Sequence, residues 1–175
     1  MRSKSSSCLL FSSPGNNNMR THTVISESAA ETELWAGNLA RQLLPGDVLA
    51  LDGDLGAGKT AFVTGLAKTL GVKGQVASPT FTLLRDHEAG EQGIALYHFD
   101  AYRLSGAEEW YELGFDEYLA EGGITAVEWA ERIKEALPPE TIWIQLERQG
   151  ENSRRITISW SDDRPLQESF TRRRS

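Results

Sequence analysis

Apolar residues recur along the chain in two rhythms, one with helical spacing and one with strand spacing, and the switches between them mark out the elements. Ser28-Ala29-Ala30-Glu31 is a helix-capping box, and Leu34, Trp35, Leu39 and Leu43 continue one face up to Pro45-Gly46, which predicts a helix over roughly 29–44. Val48 to Leu51 is an unbroken apolar run suited to a strand buried on both sides. After a glycine-rich turn, Phe62, Val63, Leu66, Ala67 and Leu70 define the inner face of a second helix that ends at Gly71. Phe81–Leu84 and Ile94–Phe99 flank a polar loop and predict two strands, paired as a hairpin. Ser105-Gly106-Ala107-Glu108 is a second capping box, opening a short helix with Trp110 and Leu113 inward and Gly114 as its stop. Ile124–Val127 follows as a strand, and Ala130–Leu137 as a helix closed by Pro138-Pro139. Ile142, Ile144 and Leu146 alternate with polar positions, as do Ile156, Ile158 and Trp160, predicting an antiparallel pair across Gly150-Glu151-Asn152. Strands interleaved with helices, with hairpins among them, give a three-layer α/β domain with a mixed central sheet.

Composition narrows the function more than the fold. The 175 residues carry 18 Lys and Arg against 25 Asp and Glu, a net charge of −7, which excludes a protein that coats nucleic acid by bulk electrostatics. No apolar run approaches the roughly 18 residues a membrane helix needs, so no membrane association is expected. The single cysteine, Cys8, has no partner within the chain and fits a reducing, cytoplasmic setting. Residues 1–18 hold six serines, three asparagines and no acid, and read as a disordered extension with Met19 as the expected start. Cys8-Leu9-Leu10-Phe11 is too short for the apolar core of a signal peptide. The folded domain is expected over 19–170, and Arg172-Arg173-Arg174 gives 171–175 the character of a solvated basic tail.

The densest chemical signal is Gly53-Asp54-Leu55-Gly56-Ala57-Gly58-Lys59-Thr60, a complete G-x-x-x-x-G-K-[ST] loop between a buried strand and a helix. Its glycines let the backbone turn with N–H groups facing inward to cradle phosphate, and the following helix adds its positive dipole end. Lys59 is placed to reach the β- and γ-phosphates, and the Thr60 hydroxyl to meet Mg²⁺. The backbone of Ala61 extends the cradle toward the α-phosphate. The fold expectation thereby becomes a P-loop NTPase-like domain. No Asn-Lys-x-Asp guanine-reading element occurs, so ATP is the expected nucleotide.

A hydrolytic site of this kind also needs a carboxylate at the end of another core strand. Two strands offer one, Asp100 after Ile94–Phe99 and Glu128 after Ile124–Val127. Glu128 follows the more apolar run and is the first choice for Mg²⁺, with Asp100 orienting the attacking water; spacing alone leaves the exchange of these roles open. His98, two residues before Asp100 and on the same strand face, is a candidate for holding Asp100 or sensing the γ-phosphate, or else a structural histidine. Ser78-Pro79-Thr80-Phe81-Thr82 is suited to a loop that orders around Mg²⁺ and phosphate.

Taken together, the loop at 53–60, Ser-Pro-Thr-Phe-Thr-Leu at 78–83, Tyr-His-Phe-Asp-Ala-Tyr-Arg-Leu at 97–104, Glu-Leu-Gly-Phe at 112–115 and Val-Glu-Trp at 127–129 resemble the TsaE family, the bacterial tRNA threonylcarbamoyladenosine biosynthesis ATPases. The resemblance runs from about Ile25 to the last strand. It implies a small cytoplasmic ATPase without transferase chemistry of its own. Its expected partners are two proteins of the actin-like fold, one of which modifies adenosine 37 of tRNAs reading codons that begin with A, with tRNA met only through that complex. It also implies Thr60 and Glu128 as Mg²⁺ ligands and Lys59, Asp100 and Trp129 as the catalytic set. Most members carry a second Thr or Ser after the loop threonine, where this chain has Ala61. The rival reading is a small P-loop metabolite kinase, which requires a lid whose arginines, Arg132, Arg154 or Arg155, enclose the phosphates.

A Ser/Asn-rich segment with one four-residue apolar patch cannot bury enough surface to offset the entropy of ordering it. Deleting residues 1–18 is expected to leave the thermal midpoint unchanged within error, as read by circular dichroism; a drop of several degrees would place Leu9-Leu10-Phe11 against the domain.

Overall fold

The computed structural model describes residues 18–79, 81–164 and 166. The expected disordered extension, apart from Asn18, and the basic tail lie outside the described residues. Seven strands form one sheet: β1 (Met19–Ser26), β2 (Val48–Asp52), β3 (Leu84–His87), β4 (Leu96–Asp100), β5 (Ile124–Glu128), β6 (Ile142–Arg148) and β7 (Arg154–Ser161). The helices are α1 (Ala29–Ala40), α2 (Lys59–Leu70), α3 (Ala107–Glu112) and α4 (Asp116–Leu119), with a 3₁₀ segment at Ala130–Ala136.

The strand order is β1-β7-β6-β2-β5-β4-β3. β6, β2, β5 and β4 run parallel, and antiparallel β3 and the β7-β1 pair complete the two edges. The parallel strands β4 and β5 are buried along their whole length, and β2 in all but Asp52, as expected where helices cover both faces. On one face α1 and α2 bury Trp35, Leu39, Phe62, Val63 and Leu66 against Leu49, Leu51, Ile144 and Ile158. On the other, Phe99 and Val127 pack with Trp110 and Ile133. Phe99 lies 4.7 Å from Trp110 and 5.0 Å from Phe115 between ring centroids, an aromatic knot that fixes α3 to the sheet. The expected three-layer mixed-sheet architecture is therefore the one observed.

Several boundaries move. The first helix ends at Ala40 rather than 44, the chain turning before Leu43, and Leu34 is 68% exposed instead of facing inward. Ser28 caps it as foreseen, accepting from Glu31 N, while Glu31 reaches back to Glu27 N at 2.7 Å. In the β3–β4 hairpin, Phe81 is 86% exposed and the strand begins only at Leu84; Leu83, at φ 63°, breaks the extended run. In the second box it is Glu109, not Glu108, that accepts from Ser105 N, and Leu113 is half-exposed although Trp110 is fully buried. Ala130–Ala136 forms a 3₁₀ segment instead of an α-helix, with non-helical backbone at Ile133. The edge strand β1 had no counterpart in the expected elements. It buries little apolar surface and is held by cross-strand hydroxyl pairs, Thr21 to Ser159 at 3.0 Å and Thr23 to Thr157 at 3.2 Å, and by the Arg20–Asp162 ion pair.

α1 and α2 cross so closely that a Cβ built at Gly65 falls 2.2 Å from the Glu33 carbonyl oxygen. Gly65→Ala is expected to destabilise the fold by about 1–3 kcal/mol, overpacking outweighing the helix propensity it gains, as read by urea unfolding.

Candidate nucleotide site

The parallel register decides which chain ends meet. Leu51 of β2 lies opposite Glu128 of β5, and Glu128 lies opposite Asp100 of β4. The loop leaving β2 and the two carboxylates therefore share the carboxyl edge of the sheet, the usual place for a ligand in such a fold. Gly53, Gly56 and Gly58 in that loop all have positive φ. At Gly53 a Cβ would come within 2.3 Å of the Leu146 carbonyl oxygen, so the loop packs against β6 in a way only glycine permits.

A cavity of about 430 Å³ opens on the loop, lined by Leu55, Gly56, Gly58, Lys59, Thr60 and Ala61 on one side and by Ser78, Asp100, Tyr102, Glu128 and Trp129 on the other. The Thr60 hydroxyl donates to Glu128 Oε1 at 3.2 Å. Asp100 is held differently, with Oδ2 accepting from the Ser78 hydroxyl at 3.3 Å and Oδ1 from Tyr102 N at 2.9 Å. Lys59 donates to the carbonyl oxygens of Gly53 at 2.5 Å and Asp54 at 3.1 Å, and its Nζ lies 4.0 Å from the centre of the Trp129 ring. Burial pushes the Lys59 ammonium below its ordinary pKa, opposed by Glu128, Asp52, Asp100 and Asp54. Tyr102 and Trp129 form an aromatic wall with centroids 4.9 Å apart, and Arg132 lies over the outer face of Tyr102.

Two residues here have left-handed backbone without being glycine, Leu83 at φ 63° and Trp129 at φ 57°. Each adjoins a carboxylate, because the Leu83 carbonyl accepts Asp100 N at 2.9 Å and Trp129 directly follows Glu128. Strain of this kind, of order 1–3 kcal/mol per residue, persists where the surrounding structure over-determines it, and it concentrates at functional sites.

A family model described as threonylcarbamoyl adenosine biosynthesis protein TsaE matches residues 26–156, three quarters of the chain. The chain belongs to the TsaE family. Curated relatives agree: the Bacillus subtilis tRNA threonylcarbamoyladenosine biosynthesis protein TsaE is 45% identical over 129 residues, covering 74% of this chain and 79% of that one. The protein of the same name from Treponema pallidum is 39% identical over 135 residues, covering 77% of this chain and 98% of its own length. The fold is similar to the crystal structure of Bacillus subtilis YdiB, with a TM-score of 0.70 and 37% identity over 83% of this chain and 89% of that one.

Within this TsaE-family fold, Lys59, Thr60, Asp100, Glu128 and Trp129 converge as the sequence suggested, and Gly53 to Ala61 form the loop and the helix start beside it. His98 does not hold Asp100, one of the readings the sequence left open for it. Its Nε2 lies 2.8 Å from Glu128 Oε1, and Asp100 takes its hydrogen bonds from Ser78 and Tyr102. Ser78 meets the site, Phe81 does not, and Thr80 lies outside the described residues. The arginines that the kinase reading requires have other tasks. Arg132 covers Tyr102, Arg155 pairs with Glu147 at 3.3 Å, and Arg154 donates to the Gly56 carbonyl oxygen at 3.2 Å.

Sequence reasoning missed Tyr102, although it stands two residues after Asp100. It also missed Asp52, whose Oδ1 accepts from Glu131 N at 3.2 Å and docks the 3₁₀ segment beside the loop. Burial raises the Asp52 carboxyl above its ordinary pKa, against the hydrogen bond from Glu131.

A lowered Lys59 pKa loses its charge earlier than an exposed lysine as pH rises. Affinity for a non-hydrolysable ATP analogue is expected to be full near neutral pH and to fall on the alkaline side before an exposed lysine would lose its charge, measured by isothermal titration. Lys59→Arg, which keeps its charge, is expected to bind more weakly but without that alkaline decline.

Proposed function

We propose that this TsaE-family chain is a Mg²⁺-dependent ATPase that serves N6-threonylcarbamoyladenosine formation at adenosine 37 of tRNAs reading ANN codons, driving a partner transferase complex by ATP binding and hydrolysis. The observation that carries this reading is the meeting of Thr60 and Glu128 at the mouth of a complete phosphate loop, with Asp100 beside them.

The donor set fits the cation. A hydroxyl and one carboxylate, with water and phosphate oxygens completing the shell, is the way Mg²⁺ is commonly held at nucleotide sites. When bound by Thr60 and Glu128, Mg²⁺ supplies charge neutralisation at the β- and γ-phosphate oxygens. The remaining work falls to the chain. Loop N–H groups between Gly53 and Ala61 hold the phosphates, and Lys59, released from the Gly53 and Asp54 carbonyls, places its ammonium on them. Asp100, fixed through both oxygens, orients the attacking water. Trp129 and Tyr102 shield the site, and Trp129 steadies Lys59 through its ring face. The missing hydroxyl at Ala61 removes one hydrogen bond to nucleotide and leaves the backbone N–H.

Nothing in this set of cavity residues supplies an arginine to the phosphates, an element worth roughly 10³–10⁵ in rate where it is used. Turnover by the chain alone is therefore slow. Partners of the actin-like fold raise it by closing over the nucleotide, and tRNA is met only through them. The kinase alternative has no comparable observation in its favour.

The test is phosphate release and tRNA threonylcarbamoylation measured with Mg-ATP, with and without the two partner proteins. Modification is expected only with all components present, and fast turnover by the chain alone would return weight to an independent enzyme. Glu128→Ala and Thr60→Ala are expected to remove the Mg²⁺ dependence of nucleotide binding. Asp100→Ala is expected to leave binding nearly intact and lower turnover roughly 10²–10⁴-fold.

A further inference from the structure

Asp100 and Glu128 stand opposite one another in adjacent parallel strands, two acids on one face of the sheet at the same edge. Left to themselves they would repel and compete for the same position. Their hydrogen-bond donors keep them apart. Asp100 is taken by the Ser78 hydroxyl and Tyr102 N, whereas Glu128 Oε1 receives Thr60 from the helix side and His98 from the sheet.

His98 is fully buried, and its Nδ1 has no hydrogen-bond partner among the described residues. A hydrogen on Nδ1 would have no acceptor there, and a bare Nε2 would face Glu128 Oε1, itself an acceptor, at 2.8 Å with no hydrogen between them. The hydrogen therefore belongs on Nε2, where Glu128 Oε1 accepts it at 2.8 Å. An Nε2–H used in this way anchors a buried carboxylate by a direct hydrogen bond.

Resting on the nucleotide-site reading above, we propose that His98 is a positioning residue for Glu128: as the Nε2–H tautomer it pins Oε1 beside Thr60, so that Glu128 and not Asp100 serves the divalent cation. The geometry also accounts for the His-Phe-Asp spacing. His98 and Asp100 share a face of β4, and His98, opposite Ala126, is level with the position two residues before Glu128 on the neighbouring strand. It reaches diagonally to Glu128 and leaves Asp100 to other donors.

The experiment compares His98→Phe, His98→Gln and His98→Asn with the unaltered chain and with Glu128→Ala. Isothermal titration of a non-hydrolysable ATP analogue, with and without Mg²⁺, isolates the cation-dependent part of affinity, and thermal melts report stability separately. His98→Phe fills the space without a donor and is expected to cost roughly 10–100-fold in Mg²⁺ affinity, with Mg²⁺-free nucleotide binding unchanged. His98→Gln carries an amide donor out to the reach of Nε2 and should restore most of the loss. His98→Asn places its donor at the shorter Nδ1 reach and should not. On the unaltered nucleotide-free protein, ¹⁵N imidazole spectra should show hydrogen on Nε2 and a lone pair on Nδ1, a reading that does not depend on any variant folding. Full Mg²⁺ dependence in His98→Phe together with its loss in Glu128→Ala would overturn the inference while sparing the metal site, as would an Nδ1–H spectrum. Full dependence in Glu128→Ala would instead sink the metal assignment and this inference with it.

Discussion

The parallel pairing of β2 with β5 and of β5 with β4 is the constraint on which the rest of the site depends. It sets the start of the phosphate loop, Glu128 and Asp100 side by side at one edge of the sheet, although they lie far apart in sequence. Those strands bury both faces, so a one-residue slip would send every side chain into the opposite core, packed for a different one. The chemistry inherits its precision from that register. No loop at the edge has to find its place unaided, because each begins where a rigid strand stops.

Placing Lys59, Asp100, Glu128 and His98 at 5% exposure or less is costly unless each finds partners. Each finds them within the site. Lys59 has two loop carbonyls and an indole face, Asp100 a hydroxyl and an amide, and Glu128 a hydroxyl and an imidazole. Asp100 and Glu128 are thereby oriented before nucleotide binds, whereas Lys59 has to exchange its loop carbonyls for phosphate. The left-handed turns at Leu83 and Trp129 belong to the same logic. Leu83 directly precedes β3 and Trp129 directly follows β5, so each strained residue is held at the end of a paired strand.

The family assignment and the geometry bear on different questions. Likeness to the TsaE proteins of Bacillus subtilis and Treponema pallidum establishes lineage. The geometry distinguishes the two acids, which end adjacent strands at one sheet edge but take their hydrogen bonds from different donors. It also assigns the spare arginines. Arg154 braces the P-loop through the Gly56 carbonyl and Arg132 covers Tyr102, so the basic residues nearest the site support its walls.

By itself the sequence determined what local physics controls. The loop glycines, the Gly71 and Gly114 stops, the Ser28 cap and the apolar runs of β2, β4 and β5 each encode a backbone state or a buried face within a few residues, so motif, core strands and layer order could be read directly. Lys59, Thr60, Asp100 and Glu128, which the fold brings to one cavity, could be named beforehand, because a P-loop calls for a lysine, a hydroxyl and distant acids. What only tertiary structure decided was partnership. β1 is too polar to announce itself and exists because β7 presents hydroxyls and amides for it to pair with. Leu34 obeys the helical spacing yet stays exposed, since periodicity locates a face but not how much of it the neighbouring helix covers. His98 likewise shares a strand face with Asp100 but bonds Glu128, because its nearest acceptor is set by the register of the next strand, a distance no spacing along one chain contains.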